Sequence, residues 1–247
     1  MITRRSLLVT GTAGLLASCD AVGRNSTAKS ILSVADDTHK FLQRSISGRA
    51  ALAREFRADQ MSPKFRVNGN ADPGTPEYAA HAASRFADWR LAVDGLVANP
   101  LSLSLAQLQA MPQRAQITRH DCVEGWSAIG KWQGPQLSAV LAHAGLRDTA
   151  RYLVFHCADR SGGVSYYESI DLVDAFHPQT ILAWAMNDHR LEIGHGAPIR
   201  LRVERQLGYK HAKFVMRIEA VASLAGIGGG KGGFWEDRSG YEWYAGI

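Results

Sequence analysis

In Ile199-Arg200-Leu201-Arg202-Val203-Glu204 an apolar residue and a charged one alternate without a break. A period of two belongs to a β-strand with one face in a core, and a slip of one residue would turn the whole charged set inward. After turn residues around Gly208, the stretch 213–218 reads as a second strand. Arg200, Arg202, Arg205, Lys210, His211, Lys213 and Arg217 therefore gather around one connection. Such a cluster is most often a solvated face. Cations converging from two strands onto a glycine turn can instead hold a phosphate, which needs several fixed charged donors.

The second informative stretch is Thr118-Arg119-His120-Asp121-Cys122-Val123-Glu124-Gly125-Trp126-Ser127, followed by Lys131 and Trp132. One cysteine sits in a short polar run between a strand-like lead-in and a Gly/Trp turn, beside a histidine and two carboxylates. That setting suits a thiolate with a chemical role; a structural or disulfide-bonded cysteine is the alternative.

Thr3-Arg4-Arg5-Ser6-Leu7-Leu8 and the apolar run to Ala17 have the charged and apolar regions of a secretory signal, and the paired arginines point to the twin-arginine route. About 11 apolar residues cannot cross a hydrocarbon core that needs roughly 20. Leu16-Ala17-Ser18-Cys19 resembles a lipobox, which makes Cys19 the candidate lipid-bearing residue; ordinary cleavage near the same place is the alternative. The expected location is the periplasm or cell envelope, with a possible lipid anchor to the membrane. Without Cys19, Cys122 and Cys157 would be counted as one disulfide in an oxidising compartment.

The rest of the chain reads as one globular domain behind a tether: a signal over 1–19, a flexible tether over 20–30, N-terminal helices over 31–60, and a catalytic domain over 61–247 that includes an aromatic tail. Helical spacing over 31–56 predicts one or two amphipathic helices, and the Pro/Gly-rich stretch to Pro76 predicts loop. Strands are predicted at 89–95, 116–120, 151–157 and 181–186, and helices at 104–111, 137–144 and 171–176. Gly228-Gly229-Gly230-Lys231-Gly232-Gly233 lacks the Ser/Thr and the strand-to-helix setting of a phosphate loop, so it reads as a flexible link to Phe234, Trp235, Tyr241, Trp243 and Tyr244. A formal charge of +5 over 247 residues is mild, and no basic helix interleaved with aromatics is visible, so nucleic acid is not an expected partner.

The segment 119–127 with Trp132, the run His195-Gly196-Ala197-Pro198-Ile199-Arg200-Leu201, and the run Leu207-Gly208-Tyr209-Lys210-His211-Ala212-Lys213 together resemble the sulfite oxidase family, in particular the exported bacterial branch that contains periplasmic methionine-sulfoxide reductases. The similarity runs from about Phe65 to Ile218. It implies an α+β fold of the sulfite oxidase molybdopterin-binding type, with mixed β-sheets and surrounding helices and without the C-terminal dimerisation domain of sulfite oxidases, hence a monomer. It implies a molybdenum-molybdopterin cofactor with Cys122 as the thiolate ligand of the metal, and with Arg200, His211, Ala212 and Lys213 on the pterin and its phosphate. His195 stands where the branch has Asn, Cys157 where it has Thr, and Asn68 resembles the family's pterin-contacting Asn.

The implied activity is two-electron oxygen-atom transfer on a small substrate, reduction of an S-oxide or N-oxide before sulfite-type oxidation. The chain shows no Cys-x-x-Cys-His haem motif and no iron-sulfur cysteine set, so electrons are expected to come from another protein, a membrane haem subunit or a cytochrome. Two other readings use the same residues: a zinc or copper site built from His120, Cys122, His156 and Cys157, and a non-enzymatic envelope lipoprotein with a Cys122–Cys157 disulfide.

Overall fold

The computed structural model describes residue 38, residues 40–45, residue 48 and residues 50–247. The chain divides into two units, Met1–Gly48 and Arg49–Ile247. In the first, residues 40–45 are helical. The signal, the lipobox with Cys19 and the tether lie outside the described residues. Among the described residues no helix is long and apolar enough to cross a membrane.

The second unit is α+β. Strands β1 (Arg90–Gly95), β2 (Leu101–Ser104), β5 (Tyr152–Ser161), β6 (Val164–Asp171) and β11 (Val215–Val221) form a five-stranded sheet in the order β2-β1-β11-β5-β6. β1 and β11 run parallel, whereas the other neighbours are antiparallel, so the sheet is mixed. A four-stranded sheet is formed by β3 (Gln113–Asp121), β4 (Ser127–Pro135), β8 (Ala185–Met186) and β9 (His189–Arg190). The short strands β7 (Ile181–Ala183) and β10 (Arg200–Arg202) pair separately. Short α-helices flank the sheets: α1 (Pro76–Ala83), α2 (Leu105–Ala110), α3 (Leu137–Ala144), α4 (Leu172–Ala175) and α5 (Phe234–Ser239).

Local signals explain most of these ends. Ser104 and Gln107 close a reciprocal capping box at the start of α2, and the Asp171 carboxylate caps α4 by accepting from Asp174 N. The alternation of β1 buries Leu91 and Val93 in a core that also takes Phe155 of β5, Ile218 of β11, Leu137 and Leu141 of α3 and Leu201 of β10. Each such side chain contributes about 1.5–3 kcal/mol by leaving water. A second cluster surrounds Trp132 of β4 with Ile181, Ala183, Met186 and Leu191, and a third places Phe234 of α5 against Val154 and Tyr167.

Several expectations need correction. Residues 51–56, predicted helical, contain no helix. Glu55 bridges Thr118, Phe56 N donates to Ile117 O at 2.9 Å, and Leu52, one source of the helical spacing, is exposed. Pairing with the edge of β3 outweighs a local period here. The stretch 181–186 is two strands, separated at Trp184. The alternation at 199–204 holds, but its charged side is not solvated: Leu201 enters the apolar core, and Arg200 and Arg202 lie fully buried over the Trp132 ring at 5.0 and 4.3 Å. The glycine run 228–233 is clasped, because Asp237 accepts from Gly229 N at 2.7 Å and from Lys231 N at 3.0 Å. The aromatic tail that follows begins with a helix, α5.

Candidate active site

Cys122 lies in the turn of the β3–β4 hairpin, whose ladder ends at the pair Asp121 and Ser127. Cys122 N donates to Trp126 O at 2.9 Å and Gly125 N to Cys122 O at 3.0 Å, and Gly125 takes φ +84°, a left-handed conformation that favours glycine. Asp121 accepts from Ser127 Oγ at 2.5 Å and from Arg119 Nε at 2.9 Å. The cysteine is thereby presented on a hairpin tip braced from both strands. Burial pushes its thiol above the usual range, and the Glu124 charge acts in the same direction, so the free side chain stays protonated until something displaces that proton.

A cavity of about 150 Å³ opens beside it, lined by Cys122, Asn68, Asp159, Tyr166, His211 and Lys213 among others. Of the residues singled out in the sequence, the structure brings Asn68, Cys122, His211 and Lys213 to this wall. Arg200, His195, Ala212 and Cys157 do not line it. Arg200 stands behind it, with its guanidinium donating to His195 O at 3.2 Å and His211 O at 3.4 Å. Ala212 is buried in the main core, and its carbonyl accepts from Leu201 N at 2.8 Å. Cys157 is buried in β5 opposite Val215, and its thiol points to Phe155 O at 3.7 Å. A larger concavity of about 580 Å³ over Phe86, Trp184 and Leu191 contains neither histidine nor cysteine.

The two alternative readings fail on this geometry. Cys122 and Cys157 are free thiols in different settings, one in a turn and one inside a sheet. Among the described residues no group of three or more His, Cys, Asp or Glu is placed to hold a metal ion. His156 is occupied by Glu219 at 2.8 Å, and His120 by Arg202 at 3.0 Å.

The electrostatics of the site are dominated by cations without counter-charges. Arg202 is satisfied by Glu204, at 2.5 and 3.0 Å. Arg200 and Lys213 meet no carboxylate at ion-pair distance among the described residues; Lys213 Nζ donates only to Asn70 O at 2.6 Å and Gly194 O at 2.8 Å. Burial, then the neighbouring Arg202, holds Arg200 down to about 9, and burial, then Arg200, holds Lys213 down to about 7. A buried cation in this state favours an anion in contact with it.

The polar atoms around the cavity ask for a ligand of mixed hydrogen-bonding character. Asn68 Oδ1, Asp159 Oδ1 and His211 Nδ1 are buried without a partner among the described residues, as are Arg200 Nε, His195 Nδ1 and His120 Nε2 behind them. An unmatched buried polar atom costs about 1–3 kcal/mol, so a cluster of them marks a binding site rather than an accident of packing. The tautomers are fixed by their partners. His211 Nε2 must donate to Gln206 O, at 3.0 Å, which leaves Nδ1 an acceptor. In that form the imidazole suits an N–H donor such as the edge of a pterin rather than a phosphate oxygen. His120 Nδ1 accepts from Arg202, so its Nε2 carries the proton. A Cβ on Gly208 would lie 2.5 Å from that nitrogen, so only glycine fits here. Charged donors for an anion, acceptors for a heterocycle edge and one thiol together match a pterin phosphate bearing a soft metal.

Asp159, Asn70, Tyr166, Tyr209, Trp235 and Tyr241 also line the cavity and were not singled out in the sequence as site residues. Asp159 had no usable signal, since its strand is irregular between His156 and Arg160 and its neighbour Cys157 stays off the cavity. Asn70 Nδ2 donates to its Oδ2 at 2.8 Å, and burial raises its carboxyl above the usual range.

Fold and site define a molybdopterin-binding oxidoreductase of the sulfite oxidase type. Residues 78–225 match the family described as the oxidoreductase molybdopterin binding domain, and the chain belongs to that family. The "Putative protein-methionine-sulfoxide reductase subunit YedZ1" of Azospira oryzae is 42% identical over 160 residues, which span 65% of this chain and 56% of that protein. The protein-methionine-sulfoxide reductase catalytic subunit MsrP of Ralstonia nicotianae is 34% identical over 144 residues, 54% of this chain and 44% of that one. The crystal structure of the sulfane dehydrogenase SoxCD from Paracoccus pantotrophus matches with a TM-score of 0.51 at 25% identity, over 55% of this chain and 39% of that chain. The chain thus spans about half the length of the curated relatives it matches.

The Lys213 environment makes a pH-dependent prediction. With a folded value near 7 against an ordinary 10.5, the unfolded chain binds more protons than the folded one between those limits. Stability of the protein purified without cofactor should therefore rise with pH through that interval. Thermal midpoints from pH 7 to 9 should climb more steeply for the wild type than for Lys213→Met. Parallel profiles would show that Lys213 is not held deprotonation-prone in the fold.

Proposed function

We propose that this chain is the catalytic component of an exported molybdenum-molybdopterin oxidoreductase that reduces an S-oxide to the thioether. In the balanced reaction one sulfoxide takes up two protons and two electrons, its S–O bond breaks, and one thioether and one water are released. The electrons are supplied by a separate haem-containing membrane subunit or cytochrome. When bound, the metal-pterin group supplies a centre that exchanges an oxygen atom and two electrons. The observation that carries the reading is the pair of desolvated cations, Lys213 on the wall of the cavity that Cys122 lines and Arg200 behind it, neither with a carboxylate at ion-pair distance among the described residues.

In this reading Cys122 offers the metal a soft thiolate, held at the tip of a braced hairpin. Arg200 and Lys213 neutralise the phosphate. Asn68, His195, Asp159 and the Nδ1 of His211 take the polar edges of the pterin, Ala212 shapes the chain between His211 and Lys213, and Cys157 supports the cofactor's surroundings from β5 without coordinating the metal. Two curated relatives named as parts of methionine-sulfoxide reductases favour S-oxide reduction over sulfite-type oxidation. The paired arginines at Arg4 and Arg5 support export through the twin-arginine route, which carries folded proteins; Cys19 as a lipid site would keep the enzyme beside its electron donor at the membrane. In this reading the chain works in contact with that donor.

Protein purified from a molybdenum-replete host should contain molybdenum and pterin in equal amounts and should reduce a methyl sulfoxide with reduced viologen as donor. Fully folded protein without either component, after expression with an active cofactor pathway, would sink the proposal.

A further inference from the structure

Residues beyond 225 lie outside the segment matched to the family, yet two of them enter the cavity that Cys122 lines: Trp235 and Tyr241. Their rings stack at 5.9 Å with an interplanar angle of 25°, and Tyr241 meets Tyr209, another lining residue, edge to face at 5.1 Å. Nothing in the cofactor reading uses these aromatics. They are also not loosely placed. Leu207 N donates to Ala245 O at 2.9 Å, Ile247 N to Arg205 O at 3.0 Å, and Tyr209 Oη to Glu242 O at 2.6 Å, so the C-terminal segment is laced along 205–209.

Beneath it, Lys210 donates to Glu236 at 2.7 Å and to Glu168, all three side chains being fully buried. Burial pushes Glu168 well above the usual carboxylate range, and the two glutamates hold Lys210 above its ordinary value against the opposite effect of burial. The Lys210 ammonium thus bridges the two carboxyl groups in the interior. Such a clamp fixes α5, which carries Trp235, relative to the segment that carries His211 and Lys213. Two rings held this rigidly are an ordered surface, as a specificity wall has to be.

We propose that Trp235 and Tyr241 form the wall that seats the organic substituent of a neutral S-oxide and so determine which oxides the enzyme accepts. This rests on the S-oxide reading above. Stacked aromatic faces pack well against a polarisable sulfur and its alkyl or aryl group. They offer no charged donor to an inorganic dianion such as sulfite, and the cation on this cavity, Lys213, is the one given to the phosphate in the reading above.

The test uses the cofactor-loaded protein, its Trp235→Ala and Tyr241→Leu variants, and methyl phenyl sulfoxide as the probe. Binding is read by calorimetry, turnover with reduced viologen, and loading by molybdenum and pterin content. For Trp235→Ala the Kd and KM should rise about tenfold, the loss of one good aromatic contact, with kcat within about twofold and loading unchanged. Tyr241→Leu should move in the same direction by less. Wild-type turnover with Kd and KM unchanged in both variants would overturn the wall and leave the S-oxide reading standing. Loss of pterin in both variants would make the rings structural and overturn it too. A loaded wild type that neither binds nor reduces any S-oxide would overturn the underlying reading, and the wall's substrate with it.

Discussion

Cys122→Ser is expected to abolish turnover while the pterin stays bound. The hydroxyl is a hard donor with little tendency to ionise, so it cannot replace a soft thiolate on a metal that passes through several oxidation states. The loss should exceed the roughly 10- to 100-fold typical of changes to groups that only orient a ligand. Pterin should persist because Arg200, Lys213 and the acceptors at Asn68, Asp159 and His211 are untouched. Cys157→Ser, inside β5 and off the cavity wall, should retain metal and much of the activity. Side-by-side activity, pterin and molybdenum measurements decide the matter. Full activity in Cys122→Ser would remove the thiolate from the site.

Arg200→Met should separate binding from stability in an unusual direction. Arg200 is fully buried, meets no carboxylate at ion-pair distance among the described residues, and is held down to about 9 chiefly by burial. Methionine keeps much of the volume without the charge. Replacing buried charge by well-packed apolar side chains is often neutral or stabilising by about 1–4 kcal/mol, so the cofactor-free variant should melt no lower than the wild type. Loading should collapse, since the phosphate loses a fixed cation in a site where charge-assisted bonds are strong. Unfolding of the variant, or normal pterin content in it, would contradict the role assigned to this guanidinium.

How far the site was legible follows from what each signal measures. Cys122 stood out because a lone thiol in a polar turn is out of place, and the hairpin that presents it was half visible: β3 was predicted, β4 was not. Gly130, Lys131 and Gly134 interrupt the apolar pattern of β4, which is read only by its pairing with β3. The cations of 200–213 were visible as a group, but their burial was not. Alternation tells which residues share a face, never whether that face meets water or another layer, and here Trp132 supplies the second layer. The helices predicted at 104 and 171 start within one residue of those observed because caps are local chemistry: the Ser104 and Asp171 side chains accept from the first turns of α2 and α4. The segment 51–56 was misread because its partner, β3, lies about sixty positions away in the chain.

The placement of β11 sets the order in which this protein can be made. That strand lies between β1 and β5 and pairs with both, so two strands emerging early must wait for a shared neighbour near the end of the matched segment. Until residue 215 has emerged, β1–β2 and β5–β6 are two separate pairs with no strand between them, although the four-stranded sheet is already complete. Long-range pairing of this kind raises contact order and slows folding, which lengthens the time that unpaired strand edges are exposed. His211 and Lys213 immediately precede β11, so the strand that completes the sheet also delivers the cavity's last cation. Closure of the five-stranded sheet and arrival of His211 and Lys213 at the cavity are thus one late event.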